Sequence, residues 1–138
     1  MSALVLDSAV TMAWFMPKEI TAPTQELLDI VGDDGALVPS LWFLEVGNTL
    51  LLAARRNLIS AENCATAIAT LEELPIELDT ETQTEAWNAT FRLAAQFRLT
   101  LYDACNLELA RRRRLPLASL DKELRSAASQ LGLDLLGV

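Results

Sequence analysis

The chain contains no histidine, and its 138 residues include two cysteines, one tyrosine and five glycines. Without histidine, neither a Ser-His-Asp nor a Cys-His catalytic arrangement can form, and the usual zinc sites lose their commonest nitrogen ligand. The two cysteines, Cys64 and Cys105, show no metal-ligand spacing. They read as reduced thiols of a cytoplasmic protein. Long apolar runs are also missing. The best candidate, SLWFLEVGNTLLLAA from Ser40 to Ala54, is interrupted by Glu45 and closed by Arg55 and Arg56, short of the roughly 18 residues of a membrane span. The first ten residues, MSALVLDSAV, carry no base ahead of their apolar part, and Asp7 cuts that part short. A secretory signal is not expected.

Positive charge is scarce as well: 11 lysines and arginines stand against 19 acids, a net charge of −8. General electrostatic affinity for nucleic acid is disfavoured. A nuclease is still compatible, because carboxylates gathered to hold a divalent cation make a chain acidic. Chemistry here must rest on carboxylates, hydroxyls, amides, lysines and arginines. Hydrophobic residues make up 51% of the chain and charged ones 22%, which suits one folded domain over 1–138 rather than a disordered segment.

Strand and helix signals alternate along the chain. Short apolar runs at 3–6, 36–38, 75–79, 117–119 and 134–136 read as strands. A short helix from Ser8 stops at Pro17, and a second over 23–31 ends at Gly32. Ser40 reads as the N-cap of a long helix to about Arg56, and Ser60 as the cap of one to about Leu74. Thr80 and Gln83 form a capping-box pattern opening a helix to Arg98. Further helices are expected over 102–113 and 122–131. The alternation predicts a three-layer α/β/α domain around a parallel sheet.

Four acids stand out by position. Asp7 ends the first strand, Glu45 lies inside an apolar helix, Asp103 follows Leu-Thr-Leu-Tyr at a helix start, and Asp121 lies just beyond the fourth strand. Open α/β sheets form their sites at the carboxyl ends of strands, where strand order reverses. Each acid has a plainer explanation. Asp103, in Thr100-x-x-Asp103, and Asp121 would favour the dipoles of their helices, and Asp7 could cap the helix after it. Glu45 is harder to account for. It shares a narrow helical face with Asn48 and Thr49, at i, i+3 and i+4. The surrounding Leu41, Trp42, Phe43, Leu44, Val46, Leu50, Leu51 and Leu52 are expected to be largely buried. Four acids brought together without histidine would repel by several kcal/mol and imply a cation. Oxygen ligands alone select Mg2+ or Mn2+, and such a site suits phosphoryl chemistry.

These motifs resemble those of the PIN-domain family, and within it the VapC-type toxins of toxin–antitoxin pairs. The resemblance runs through LVLDSAV, VPSLWFLEVGNTLL, LTLYDACNLELA and LPLASLDKEL, nearly the whole chain. It implies a five-stranded parallel sheet of order 3-2-1-4-5, with Asp7 and Asp121 flanking the switch point. It makes Asp7, Glu45, Asp103 and Asp121 the metal-binding and catalytic quartet, with Ser8 and Ser119 as auxiliary groups; Asn48 is a further auxiliary candidate from its place on the Glu45 face. The activity implied is Mg2+- or Mn2+-dependent endoribonuclease cleavage leaving 5′-phosphate and 3′-hydroxyl ends. The partners implied are RNA, a cognate antitoxin protein and a second copy in a homodimer.

Arg111 to Arg114 end a helix, where cations complement the dipole, yet an acidic nuclease needs positive surface for phosphates. Arg111, Arg114, Arg55 and Arg56 are therefore candidate RNA or partner contacts. Trp14, Phe15 and Met16 read as core or dimer contact. Two other functions compete with the nuclease. Phosphotransfer on an aspartate would also use an acid like Asp7, but the haloacid-dehalogenase pattern needs a second Asp where Ala9 stands. A non-catalytic interaction module would keep the fold and leave the acids idle.

Overall fold

The computed structural model describes residues 2–138. Five parallel strands form one sheet in the order β3-β2-β1-β4-β5. They are β1 (Val5–Leu6), β2 (Ala36–Val38), β3 (Ile76–Leu78), β4 (Leu117–Ala118) and β5 (Leu135–Leu136). Register pairs Val5 with both Leu37 and Leu117, so β1 is central. From β1 the chain adds β2 and β3 on one side. It then crosses back to add β4 and β5 on the other, and the reversal lies between β1 and β4.

The period of two along a strand divides the core into two layers. Leu4 and Leu6, with Ala36 and Val38, point into a cluster with Trp14, Leu27, Val31, Trp42, Val46 and Leu50. Val5, Leu37 and Leu117 point the other way, against Leu93, Leu107, Leu109 and Leu124. The first layer holds α1 (Val10–Phe15), α2 (Ala22–Asp34), α3 (Trp42–Arg55) and α4 (Ala61–Glu73). The second holds α6 (Ala89–Phe97), α7 (Leu101–Arg113) and α8 (Lys122–Gln130), with α5 (Thr82–Glu85) as a single turn before α6. Trp14 is core, its indole N–H donating to Thr24 O at 2.9 Å. Among the described residues no helix is long and apolar enough to cross a membrane.

Several boundaries differ from the sequence expectation. The first helix begins at Val10, leaving Ser8 in the preceding turn. The second runs through Gly32 to Asp34 and stops at Gly35, whose φ of +82° suits glycine; a Cβ there would meet Pro75 O at 3.0 Å. Ser40 is not the N-cap of α3. Leu41 occupies that position, Ser40 N–H donates to Thr82 Oγ1 at 3.1 Å, and Ser40 Oγ is buried without a partner. The capping box expected at Thr80 does not form. Thr82 turns its hydroxyl to Asp79 instead, and the helix breaks between α5 and α6. Ser60 and Thr100 cap α4 and α7 as expected, accepting from Asn63 N–H and Asp103 N–H.

The largest departure concerns α3. Trp42, Val46, Leu50 and Ala53 form its buried stripe. Leu41, Phe43, Leu44, Leu51 and Leu52 are exposed, Leu44 by 72%. A helix on one side of a sheet can bury only about one face. The apolar residues of α3 exceed that face, so the surplus meets solvent.

Candidate acidic centre

Asp7 follows β1 at its carboxyl end and is buried, with 5% of its surface exposed. Ser119, fully buried just past β4, donates its hydroxyl to Asp7 Oδ2 at 2.9 Å. The same Ser119 oxygen accepts Asp121 N–H at 3.1 Å. One hydroxyl thus joins the ends of β1 and β4 across the reversal of strand order. Asp121 is the N-cap of α8, its Oδ1 accepting Leu124 N–H at 2.9 Å. Its capping role and its place at the switch point coexist, since Oδ2 is left over.

Asp103 sits in the first turn of α7, half-buried, beside the Thr100 cap. Glu45 sits in the first turn of α3, half-buried. Thr49 donates its hydroxyl back to Glu45 O at 2.9 Å, so it serves the helix rather than the site. Asn48 is exposed and lines an open groove with Glu45, Phe43, Leu44, Leu51 and Tyr102, of about 660 Å³. Tyr102, next to Asp103 in sequence, gave no signal beyond being the lone tyrosine.

The acids lie near enough for charge on some of them to act on others. Burial pushes the Asp7 carboxyl from 3.8 up to about 6; the Ser119 hydrogen bond opposes this, while the charges of Asp103 and Asp121 add to it. Burial, then Asp7, then Asp103 push Glu45 from 4.5 up to about 7. Asp103 is raised by burial and by Asp121, against the Thr100 hydrogen bond, and Glu123 contributes too. Each acid of the quartet thus acts on at least one other or is acted on by one. Even so, among the described residues no three Asp, Glu or Cys side chains converge closely enough to hold an ion as they stand.

As a donor set the quartet offers oxygen only, the chemistry a hard cation takes, with Asp7 held by Ser119 and Asp121 by its cap to Leu124 N–H. Ser8 is half-buried in the turn after Asp7, where its backbone carbonyl accepts the Thr11 hydroxyl at 2.7 Å; its own hydroxyl bonds to none of the four acids among the described residues. Sequence reasoning missed Arg125. Its guanidinium donates to Ser119 O at 2.7 Å and Leu136 O at 2.9 Å, pinning the segment that carries Ser119 and Asp121. The i+4 spacing from Asp121 on α8 was the available signal.

The arginine run divides. Arg112 is the structural member, reaching Asp79 at 2.8 Å, Glu81 at 2.9 Å and Glu108 at 2.9 Å. Burial alone would raise the Asp79 carboxyl, but hydrogen bonds from Arg112 and Thr82, with the Arg112 charge, hold it below its ordinary value. Arg111 and Arg114 are exposed and make no ion pair among the described residues. Arg55 and Arg56, at the end of α3, are likewise exposed.

No family model matches the chain, and a search of curated proteins finds no match. Among solved structures, the chain is similar to the crystal structure of PAE2754 from Pyrobaculum aerophilum. The identity is 20% and the TM-score 0.70, over 97% of this chain and 83% of that one. At that identity the likeness is one of fold, and it is a fold shared over nearly the full length.

Proposed function

We propose that the protein is a Mg2+- or Mn2+-dependent endoribonuclease of the PIN-domain kind, the toxin of a toxin–antitoxin pair acting in the cytoplasm. The observation that carries this reading is the Asp7–Ser119–Asp121 linkage where strand order reverses, with Glu45 and Asp103 within reach of the Asp7 charge. Burial first, and then neighbouring acids, raise the proton affinity of Asp7, Glu45 and Asp103. That arrangement favours a working site over four independent helix-capping roles.

Asp7, Glu45, Asp103 and Asp121 would hold the ion. When bound it supplies a water of lowered pKa and neutralises charge on the phosphodiester in the transition state. Ser119 holds Asp7 in one rotamer and favours its ionised form. Arg125 fixes the backbone on which Ser119 and Asp121 stand. Glu45 and Asp103 approach from two helices on opposite sides of the sheet, so the scissile phosphate is received between them. Protonation of Asp7 or Glu45 would weaken the centre, so activity is expected to fall as pH drops through 7 and 6.

The surplus apolar face of α3 supports the protein partners. A homodimer or a cognate antitoxin would cover Phe43, Leu44 and Leu51, and an antitoxin seated there would also close the groove beside Glu45.

The test uses protein freed of any antitoxin, single-stranded RNA and Mg2+, with Asp7→Asn alongside. Metal-dependent cleavage by the wild type alone is expected. Equal degradation by both proteins overturns the reading, and so does phosphoryl labelling of Asp7 by phosphate donors.

A further inference from the structure

Away from the acidic centre, α6 and α7 enclose a second cavity of about 510 Å³. Four of the chain's 11 cations line it: Arg92 from α6, and Arg111, Arg112 and Arg114 from the end of α7. Glu85 and Glu108 are the acids of the lining. Glu108 is already committed, both its oxygens receiving Arg112 at 2.9 and 3.0 Å. Arg92, Arg111 and Arg114 make no side-chain hydrogen bond or ion pair among the described residues.

Helix-dipole complementarity does not account for this set. A helix C-terminus offers about half a unit of negative charge, and Arg112 and Arg113 already stand there. Arg92 comes from another helix altogether. Arginines from two elements, three of them without a side-chain partner among the described residues, line one recess of a chain whose net charge is −8. Unpaired like charges repel unless an anion sits among them. Guanidinium groups present forked donors that match phosphate oxygens.

The cavity lies along the same helix as the acidic centre. Asp103 is in the first turn of α7 and Arg111 in the last, a rise of roughly 12 Å at about 1.5 Å per residue. An RNA strand cleaved at the acids can thus reach the arginines with phosphates a few nucleotides away. We propose that Arg92, Arg111 and Arg114 form a phosphate-binding subsite that holds single-stranded RNA outside the cleaved bond. An acidic chain repels RNA over most of its surface, and this recess supplies the attraction and the orientation.

The proposal rests on the RNA-cleaving reading, and its test separates the two. A fluorescein-labelled oligouridylate is titrated into full-length Asp7→Asn protein, and anisotropy is read across a salt series. Combined replacement of Arg92→Gln, Arg111→Gln and Arg114→Gln is expected to weaken binding about tenfold at low salt. It should also flatten the log–log salt slope by about 2. Glu85→Gln, which removes the one uncommitted acid, is expected to tighten binding. Lys18→Gln with Arg98→Gln, exposed and outside the cavity, is the charge control.

Unchanged affinity and slope in the triple variant overturn the subsite, as does an equal loss in the charge control. An oligoglutamate that displaces the RNA more strongly than unlabelled oligouridylate of equal charge overturns it in favour of an acidic protein segment. Metal-dependent cleavage that is indifferent to the arginines leaves the nuclease and removes the subsite. RNA held by the arginines with no cleavage in the wild type does the reverse.

Discussion

Ser119 donates to Asp7 across the seam of β1 and β4 at 2.9 Å, and both side chains are buried. That hydrogen bond stabilises the charged form of an acid that burial alone would neutralise. Ser119→Ala is therefore expected to raise the Asp7 pKa further above about 6. It also leaves Asp121 N–H without its acceptor. A loss of about 1–3 kcal/mol is expected in urea denaturation at neutral pH, with a smaller loss at pH 4, where Asp7 is protonated.

In metal-free protein, Asp7 and Glu45 should contribute stability in acid, opposite in sign to Asp79. Asp7 and Glu45 have folded pKa values raised from 3.8 to about 6 and from 4.5 to about 7. The folded chain thus holds these protons more tightly than the unfolded chain. Their contribution is fully present below about pH 4 and is lost as pH rises through 6 and 7. At pH 8, Asp7→Asn is expected to stabilise the metal-free protein by about 1–3 kcal/mol, at about 1.4 kcal/mol per unit of pKa. Saturating Mn2+ should shrink that advantage, because a cation favours the ionised wild type. An Asp7→Asn variant less stable than wild type at pH 8 without metal would contradict the account.

Glu45→Gln keeps the size and the helical setting of the side chain. It is expected to fold like wild type by circular dichroism, bind Mn2+ weakly by calorimetry and lose RNA cleavage. Wild-type cleavage by this variant would make Glu45 an ordinary surface acid.

Arg112 holds Asp79 and Glu108, which are 4% and 5% exposed. Removing it strands two buried carboxylates. Arg112→Met is expected to cost about 3–5 kcal/mol in chemical denaturation. Adding Asp79→Asn and Glu108→Gln should recover a large part of it. The same Met substitution at Arg113, which makes no ion pair among the described residues, should cost under about 0.5 kcal/mol.

Leu44 is the most exposed of the surplus apolar residues of α3. If that face joins two copies, Leu44→Lys should shift the protein from dimer to monomer in light scattering, with the monomer's fold unchanged. A wild type that is monomeric at all concentrations would remove the dimer from the proposal.

Much of this architecture was legible in the chain because strand and helix signals alternate cleanly, and each strand ends near a proline, glycine or acid. Capping was legible where the partner is local, as at Ser60 and Thr100. It failed at Ser40 and Thr80, where Thr82 is drawn to Ser40 N–H and Asp79, contacts no short window reveals. The four acids stood out by position, while Ser119 came from the family resemblance rather than from the residues themselves. The exposure of Phe43 and Leu44 was not, since an apolar helix looks the same whether its surplus meets core, partner or water. Arg112 was hidden among identical neighbours; only the fold distinguishes the arginine that clamps Asp79 and Glu108 from those that make no ion pair among the described residues.

Because β1 pairs with β4, Asp7 waits for a residue 112 positions later before its setting is complete. A ribosome releases the chain from the N-terminus at about 5–20 residues per second. For most of synthesis, a growing chain therefore carries Asp7 and Glu45 but no Ser119 or Asp121. Such long-range pairing also closes slowly. If the finished centre cuts RNA, the nascent chain is harmless to the messenger and ribosome that are making it.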